Sequence, residues 1–240
     1  MRDAVGSWLF SDLAEGGLPS RGLLPLENPD LHDHESTCRL LREPRSYRTV
    51  TVGEHRGVPA AVFRAKFGAP AAALLVDAAG DHGLKSLVAV GFCGGLVEGY
   101  RTGDIIAVSR CHGDDGTSRA YGVATPPVPD EGMHRVLRKA LDAGDVTWHE
   151  GPAWSTDAVL LEDDDRIRAW RGEGAVAVDM ESRAVLTAAA RSGVAACVLL
   201  VVSDNPAAGT LADASRLSRG WDRAVSAAYR VMSTAPPEQA

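Results

Sequence analysis

Three carboxylates stand where apolar runs stop. In Ala177-Val178-Asp179-Met180-Glu181-Ser182 a strand-like stretch delivers two acids around Met180 and passes into a helical pattern. In Leu199-Leu200-Val201-Val202-Ser203-Asp204-Asn205-Pro206 an apolar run halts at Ser203 and Asp204, and Pro206 ends it. Acids placed at strand ends lie where α/β sheets bind ligands, and such groups hold hydroxyls or pass protons to a leaving group. A third segment, Val88 to Leu96 (VAVGFCGGL), runs from an apolar strand into a glycine-rich turn. Such turns cradle phosphate through backbone N–H groups, yet Phe92 stands where a hydroxyl or a cation would serve an anion. Taken singly, each feature has a structural reading: Ser203 or Asp204 as a helix cap, Glu181 as a first-turn acid favoured by the helix dipole, Gly94 and Gly95 as a tight turn. Their order and joint spacing favour a site.

The elements that must position these residues alternate between β-branched and Ala-rich amphipathic runs. Strands are predicted over 47–52 and 58–67, joined as a hairpin across 53–57. Helical spacing follows over 71–82, then a short buried strand over 87–90 and another over 105–108. Residues 110–130 show no periodicity and read as a long loop, a length that in compact domains is usually functional. Beyond it come helices over 131–143 and 164–170, strands over 146–148 and 175–178, a helix over 180–192, a strand over 196–202 and a last helix over 212–233. This alternation, without a linker or repeat, predicts one α/β domain over residues 1–240 with a mixed central sheet, residues 1–20 and 234–240 being peripheral or frayed.

Composition excludes several classes. Of 240 residues, 45% are hydrophobic, and no apolar run reaches the ~18 residues of a membrane span. The net charge of −7, with 25 scattered basic residues, argues against a nucleic-acid partner. The N-terminal segment lacks the apolar stretch of a secretory signal, which points to the cytoplasm. The four cysteines, Cys38, Cys93, Cys111 and Cys197, have no CxxC spacing and read as reduced thiols. His32-Asp33-His34-Glu35 has no matching downstream ligand and reads as a solvated segment. No metal or cofactor is expected.

The landmarks Leu24-Pro-Leu-Glu-Asn-Pro29, Arg45-Ser-Tyr-Arg-Thr49, Phe67-Gly-Ala-Pro-Ala-Ala72, Gly91-Phe-Cys-Gly-Gly-Leu96, Thr102-Gly-Asp-Ile105, Ser155-Thr-Asp157, Val178-Asp-Met-Glu-Ser182 and Val202-Ser-Asp204 occur in this order. Together they resemble the nucleoside phosphorylase superfamily over about residues 22–232. The resemblance implies a three-layer α/β/α sandwich and cleavage of the N-glycosidic bond of a purine nucleoside. It implies that Glu181 holds the ribose hydroxyls, that Met180 packs beneath the sugar, and that Asp204 protonates or hydrogen-bonds the purine at N7. Phe92, Cys93, Gly94, Val178, Asp179 and Ser203 are the further substrate contacts that the resemblance leads one to expect. An arginine partner for Asp204 is typical of the family; Arg216 and Arg219 both lie in the right region, Arg216 being the closer match. Arg45 matches a residue that relatives contribute across a subunit interface, which implies a homo-oligomer, a dimer or a hexamer.

The departures concern the acceptor. Relatives that use phosphate carry R-x-G-[ST]-x-G, where this chain has Ala89 and Phe92, and a G-D-P-x-R segment, where it has Glu27-Asn28-Pro29-Asp30-Leu31. Each hydrogen bond to a charged group contributes about 1.5–3 kcal/mol, so losing three donors weakens phosphate binding by about 4–9 kcal/mol. Hydrolysis is therefore expected over phosphorolysis; nucleosidases of the superfamily place a Glu near the N-terminal strand to activate water, and the resemblance implies Glu27, in the corresponding segment, as general base. A phosphorylase with a rearranged phosphate site and a repurposed nucleoside-binding fold are the alternatives. Val159 stands where hexameric relatives stack an aromatic residue on the base. Trp154 next door reads as core rather than as its replacement.

Overall fold

The computed structural model describes residues 6, 8–13, 17–26, 34–64, 67–210 and 213–234. Nine strands form one mixed sheet: β1 (Arg21–Leu26), β2 (Arg42–Ser46), β3 (Val50–His55), β4 (Val58–Phe63), β5 (Ser86–Gly95), β6 (Ile105–Gly113), β7 (Trp148–Ser155), β8 (Ala177–Asp179) and β9 (Ala195–Asp204). Their order is β2-β3-β4-β1-β5-β8-β7-β6-β9, and β9 pairs back onto β5. Half of the sheet is thus a closed ring of β5, β8, β7, β6 and β9, while β1 to β4 form an open wing. The hairpin of β3 and β4 turns at Arg56 (φ 52°) and Gly57 (φ 76°), the pair of left-handed residues that matches the strand twist.

Helices cover both faces. On one side α2 (Ala69–Asp81), which Pro70 opens, and α6 (Ser182–Ser192) pack against Leu24, Leu87, Ala89 and Cys93. On the other, α4 (Glu131–Asp142) and α7 (Ala214–Thr234) cover Val88, Val90, Leu199 and Val201. The α4 start is fixed by Asp130, whose carboxylate accepts from the Met133 amide at 2.8 Å, a cap that satisfies one orphan donor. The two apolar faces of β5 and β9 explain their near-continuous hydrophobic sequence.

The expected elements are present with shifted ends. The strand predicted over 87–90 runs on to Gly95, so the supposed glycine turn is strand. The reason is close approach: a Cβ on Gly94 would lie 3.0 Å from Val178 Cγ1, and one on Gly91 would lie 2.9 Å from Leu26 Cβ. The glycines admit neighbouring strands instead of breaking their own. The long loop over 110–130 is shortened by β6 and by α3 (Gly116–Ala120), capped by the buried Asp115. Leu9 and Phe10, in the stretch expected to be peripheral, are buried. His34, expected to be solvated, sits on the short α1 (His34–Cys38) with its Nε2 2.8 Å from Thr51 Oγ1. Residues 1–5, 32–33 and 235–240, covered by the same expectations, lie outside the described residues. Cys38, Cys93, Cys111 and Cys197 are all buried and free of disulfides. No described helix is long and apolar enough to cross a membrane.

One backbone contact ties α7 to the sheet. A Cβ on Gly220 would lie 2.6 Å from the Gly103 carbonyl oxygen and 2.8 Å from Val201 Cγ1. Gly103 in turn donates from its amide to the Val202 carbonyl at 2.8 Å. A methyl group inserted there forces backbone shifts costing about 1–3 kcal/mol. Gly220→Ala is therefore expected to lower Tm by about 2–12 °C, at about 2–4 °C per kcal/mol for a chain of this size. A thermal melt of the variant against the wild type measures it.

Candidate active site

Gly94 is the meeting point. Its register partner on β8 is Val178 and its partner on β9 is Asp204, past a bulge at Cys93 and Gly94. The glycine segment and both acid-bearing segments therefore end beside one another. The Cys93 thiol reports the same convergence: burial pushes it up, and the charges of Asp179 and then Asp204 push it further.

Asp179 is buried, and both of its oxygens are taken by the protein. Oδ1 accepts from Ser155 Oγ at 2.5 Å, and Oδ2 accepts from the Ser182 amide at 2.8 Å and from the Ser182 hydroxyl. Asp179, expected as a substrate contact, thus spends its oxygens on the protein: it accepts from the first amide of α6 and joins β7 to β8. Ser155 Oγ also accepts from the Arg183 amide at 3.0 Å. Below it, Arg183 Nη1 donates to the Gly113 carbonyl at 2.8 Å and pairs with the buried Asp115 at 3.2 Å. These contacts fix the angle at which the chain leaves β8, and with it the direction of Glu181.

Glu181 is 7% exposed and its Oε1 accepts from the Gly68 amide at 2.7 Å. Burial, then the neighbouring Asp179 charge, push its carboxyl from an ordinary 4.5 up to about 8. Burial raises Asp179 too, but the Ser155 and Ser182 hydrogen bonds work against that rise. A carboxyl held this way at neutral pH both donates and accepts, which suits a vicinal diol. Met180, between the two acids, is half-buried.

Asp204 is half-buried at the end of β9. Its Oδ1 accepts from Ser203 Oγ at 2.6 Å, and the same hydroxyl lies 3.0 Å from the Cys93 carbonyl. Thr102 Oγ1 donates to the Ser203 carbonyl at 3.1 Å, pinning this strand end to the turn before β6. Asn205 is buried and donates to the carbonyls of Val97 at 2.8 Å and Tyr100 at 3.0 Å. It fastens the loop after β5 to the loop after β9.

Other expected members stand apart. Arg216 is paired with Asp213 rather than Asp204: its amide donates to the Asp213 carboxylate at 3.0 Å and its guanidinium lies 3.8 Å from the same carboxylate. Helix geometry brings residues three apart onto one side, and Asp213 captures the arginine at the α7 start. Arg219 donates to Ser215 on the same helix. Phe92 packs on α7, its ring 4.9 Å from that of Trp221, on the opposite face of β5 from Cys93. Ala89, where relatives place an arginine, is wholly buried in the core. Cys93 and Val178 are each 3% exposed, so their side chains belong to the core. Trp154 stacks on Trp170 at 5.8 Å, as the core reading expects. Val159 is exposed and opens a short 3-10 turn, Val159–Leu161. Arg45 lies on the exposed edge strand β2. Three strands separate it from β5, on the order of 19 Å at the usual spacing of about 4.8 Å, so within one chain it does not reach Gly94. Glu27 lies outside the described residues.

Sequence reading missed three groups here: Gly68, Ser155 as the Asp179 donor, and Glu162. Burial, then the charge of Asp204, push the half-buried Glu162 up to about 7. Among the described residues no cluster of acids, histidines and cysteines could hold a metal ion.

The model of the phosphorylase superfamily matches residues 23–235. The chain belongs to that superfamily. A guanosine phosphorylase from Halorubrum lacusprofundi is 29% identical over 171 residues, 71% of this chain and 70% of the relative. A DeoD-type purine nucleoside phosphorylase from Alkaliphilus metalliredigens is 29% identical over 157 residues, 64% of this chain and 67% of the relative. Among superfamily structures, uridine phosphorylase from Vibrio fischeri superposes with a TM-score of 0.82 at 19% identity, covering 90% of this chain and 92% of the other. Purine nucleoside phosphorylase from Toxoplasma gondii gives 0.79 at 17%, covering 92% of each. The mixed α/β fold of the superfamily is thus shared across most of the chain.

The raised Glu181 carboxyl has a pH signature. The folded state holds its proton more tightly than the unfolded chain, so its share of stability is full below about 4.5 and is lost as pH climbs through about 8. Glu181→Gln keeps an acceptor for Gly68 and removes that loss. The variant is expected to gain Tm relative to the wild type between pH 5 and pH 8; a Tm difference that stays constant across this range contradicts the assignment.

Proposed function

We propose that this protein cleaves the N-glycosidic bond of a purine nucleoside and that water is the acceptor. The observation that carries the first part is the junction at Gly94, which brings the Glu181 and Asp204 segments to one strand end. As the C1′–N9 bond breaks, its electron pair moves onto the base and positive charge develops on the sugar. Asp204 delivers a proton to N7, neutralising the leaving group. Glu181 holds the ribose hydroxyls, Met180 lies beneath the ring, and Gly68 fixes the Glu181 carboxyl by its amide. Water adds to C1′ and gives its proton to a base, for which Glu27 is the candidate in the chain. Partial burial of Glu181 strengthens each of these contacts relative to water.

Hydrolysis is favoured by what occupies the anion positions. Ala89 is sealed in the core and Phe92 is stacked on Trp221, so neither offers a donor to phosphate. The second reading, phosphorolysis, is favoured by the names of the relatives, which are phosphorylases. Arg45, too distant within its own chain, fits a homo-oligomer in which it serves a neighbour. A cytoplasmic, membrane-free setting accords with a nucleoside substrate.

The test is incubation with adenosine, guanosine and inosine, each with and without phosphate, followed by chromatography of free base. Release without phosphate, yielding free ribose, is the expected result; release that requires phosphate and yields ribose 1-phosphate establishes the second reading. Asp204→Asn is expected to lower kcat by about 10²–10⁴, the usual share of a general acid. Wild-type turnover in that variant excludes Asp204 as the proton donor.

A further inference from the structure

We propose that His149 is a positioning residue for Asp204, acting through the loop that joins β5 to β6; this rests on the reading of Asp204 as the proton donor. The end of β9 is bonded to that loop residue by residue. The Val202 amide donates to the Asp104 carbonyl at 2.9 Å, and the Val202 carbonyl accepts from the Gly103 amide at 2.8 Å. The Ser203 carbonyl accepts from Thr102 Oγ1 at 3.1 Å, and Asn205 Nδ2 donates to the carbonyls of Val97 and Tyr100. Both chain neighbours of Asp204 are thus fastened to residues 97–104. Where the loop sits decides where Asp204 stands.

His149 bears on the loop at two points. Within the loop, Asp104 Oδ2 accepts from the Arg101 amide at 3.0 Å and closes a turn. His149 Nε2 lies 3.3 Å from that same oxygen. The imidazole also stacks on the Tyr100 ring, with centroids 4.0 Å apart and planes 16° from parallel. One side chain therefore touches both ends of the turn over 100–104. Strand alternation sends the next residue of β7, Glu150, to the other face, where it pairs with His134 of α4 at 2.9 Å. The side chains of His149 and Asp104 are 29% and 13% exposed, enough burial for a hydrogen bond to a carboxylate to hold its geometry.

β7 then supports both halves of the site. Near its start, His149 braces the loop that holds Asp204; at its end, Ser155 bonds to Asp179, which fixes the segment carrying Glu181. The two acids are set from opposite ends of one strand, so loosening the His149 end moves Asp204 and leaves Glu181 in place. A misplacement on the order of 1 Å costs up to about 10²-fold in rate, and here it falls on proton delivery rather than on the grip on the ribose.

His149→Leu, which removes both contacts, is expected to lower kcat about tenfold while the nucleoside KM stays within about twofold. His149→Gln, which keeps a donor for Asp104, is expected to recover most of that loss. In an Asp204→Asn background, His149→Leu is expected to cost nothing further, because it acts through the carboxyl already removed. An equal kcat loss in both backgrounds overturns the inference, as does wild-type kcat in His149→Leu. Amide hydrogen exchange, measured without substrate, separates the two levels. The Gly103 and Val202 amides, which bond the loop to β9, are expected to exchange several-fold faster in His149→Leu than in the wild type. If they do and the wild type cleaves no nucleoside, the brace stands and the proposed function fails. If their exchange is unchanged, His149 does not position Asp204.

Discussion

Enclosing Asp179 is the constraint on which the site rests. A carboxylate removed from water survives only if its lone pairs are met, and here Ser155 and Ser182 meet them from two different elements. Satisfying that one side chain locks β7, β8 and the start of α6 into a single geometry. Glu181 inherits its direction from this lock, and its raised proton affinity comes from its own burial and then from the same buried charge. An apolar residue at 179 would relieve the electrostatics and also release the segment that aims Glu181.

Much of this was readable beforehand where chemistry is local in sequence. Glu181 and Asp204 stood out because each sits within a residue or two of an apolar run, and strand termini are legible from periodicity. The mixed sheet and the elements after residue 47 followed largely from the same alternation, whereas β1 and β2, which precede it, were not read. What failed did so through contacts distant in the chain. Gly68 lies 113 positions from the carboxyl it serves, and nothing in Phe67-Gly68-Ala69-Pro70 announces a partner. Gly94 and Gly95 carry the ordinary signal of a chain break, but the approach of Val178 and Val202 turns the same residues into strand.

Local competition misled in the other direction. Arg216 matches a family position, yet Asp213 lies three residues away on the same helix and takes it. Glu162 was hidden within the run Glu162-Asp163-Asp164-Asp165, which reads as the acid-rich opening of a helix. Asp163, Asp164 and Asp165 do serve that purpose for α5 (Asp164–Gly172), the first as the cap and the other two in the first turn, whereas Glu162 ends the preceding 3-10 turn.

The closed ring of β5 to β9 and the open wing of β1 to β4 divide the sheet into unlike parts. Every strand of the ring has partners on both sides, so it offers another chain no free row of amides and carbonyls. The wing ends at β2, exposed along its whole length. Any extension of the sheet by strand addition is therefore confined to an edge three strands removed from Gly94. The carboxylates around Gly94 are insulated from such growth by topology, and Arg45 lies on that very edge.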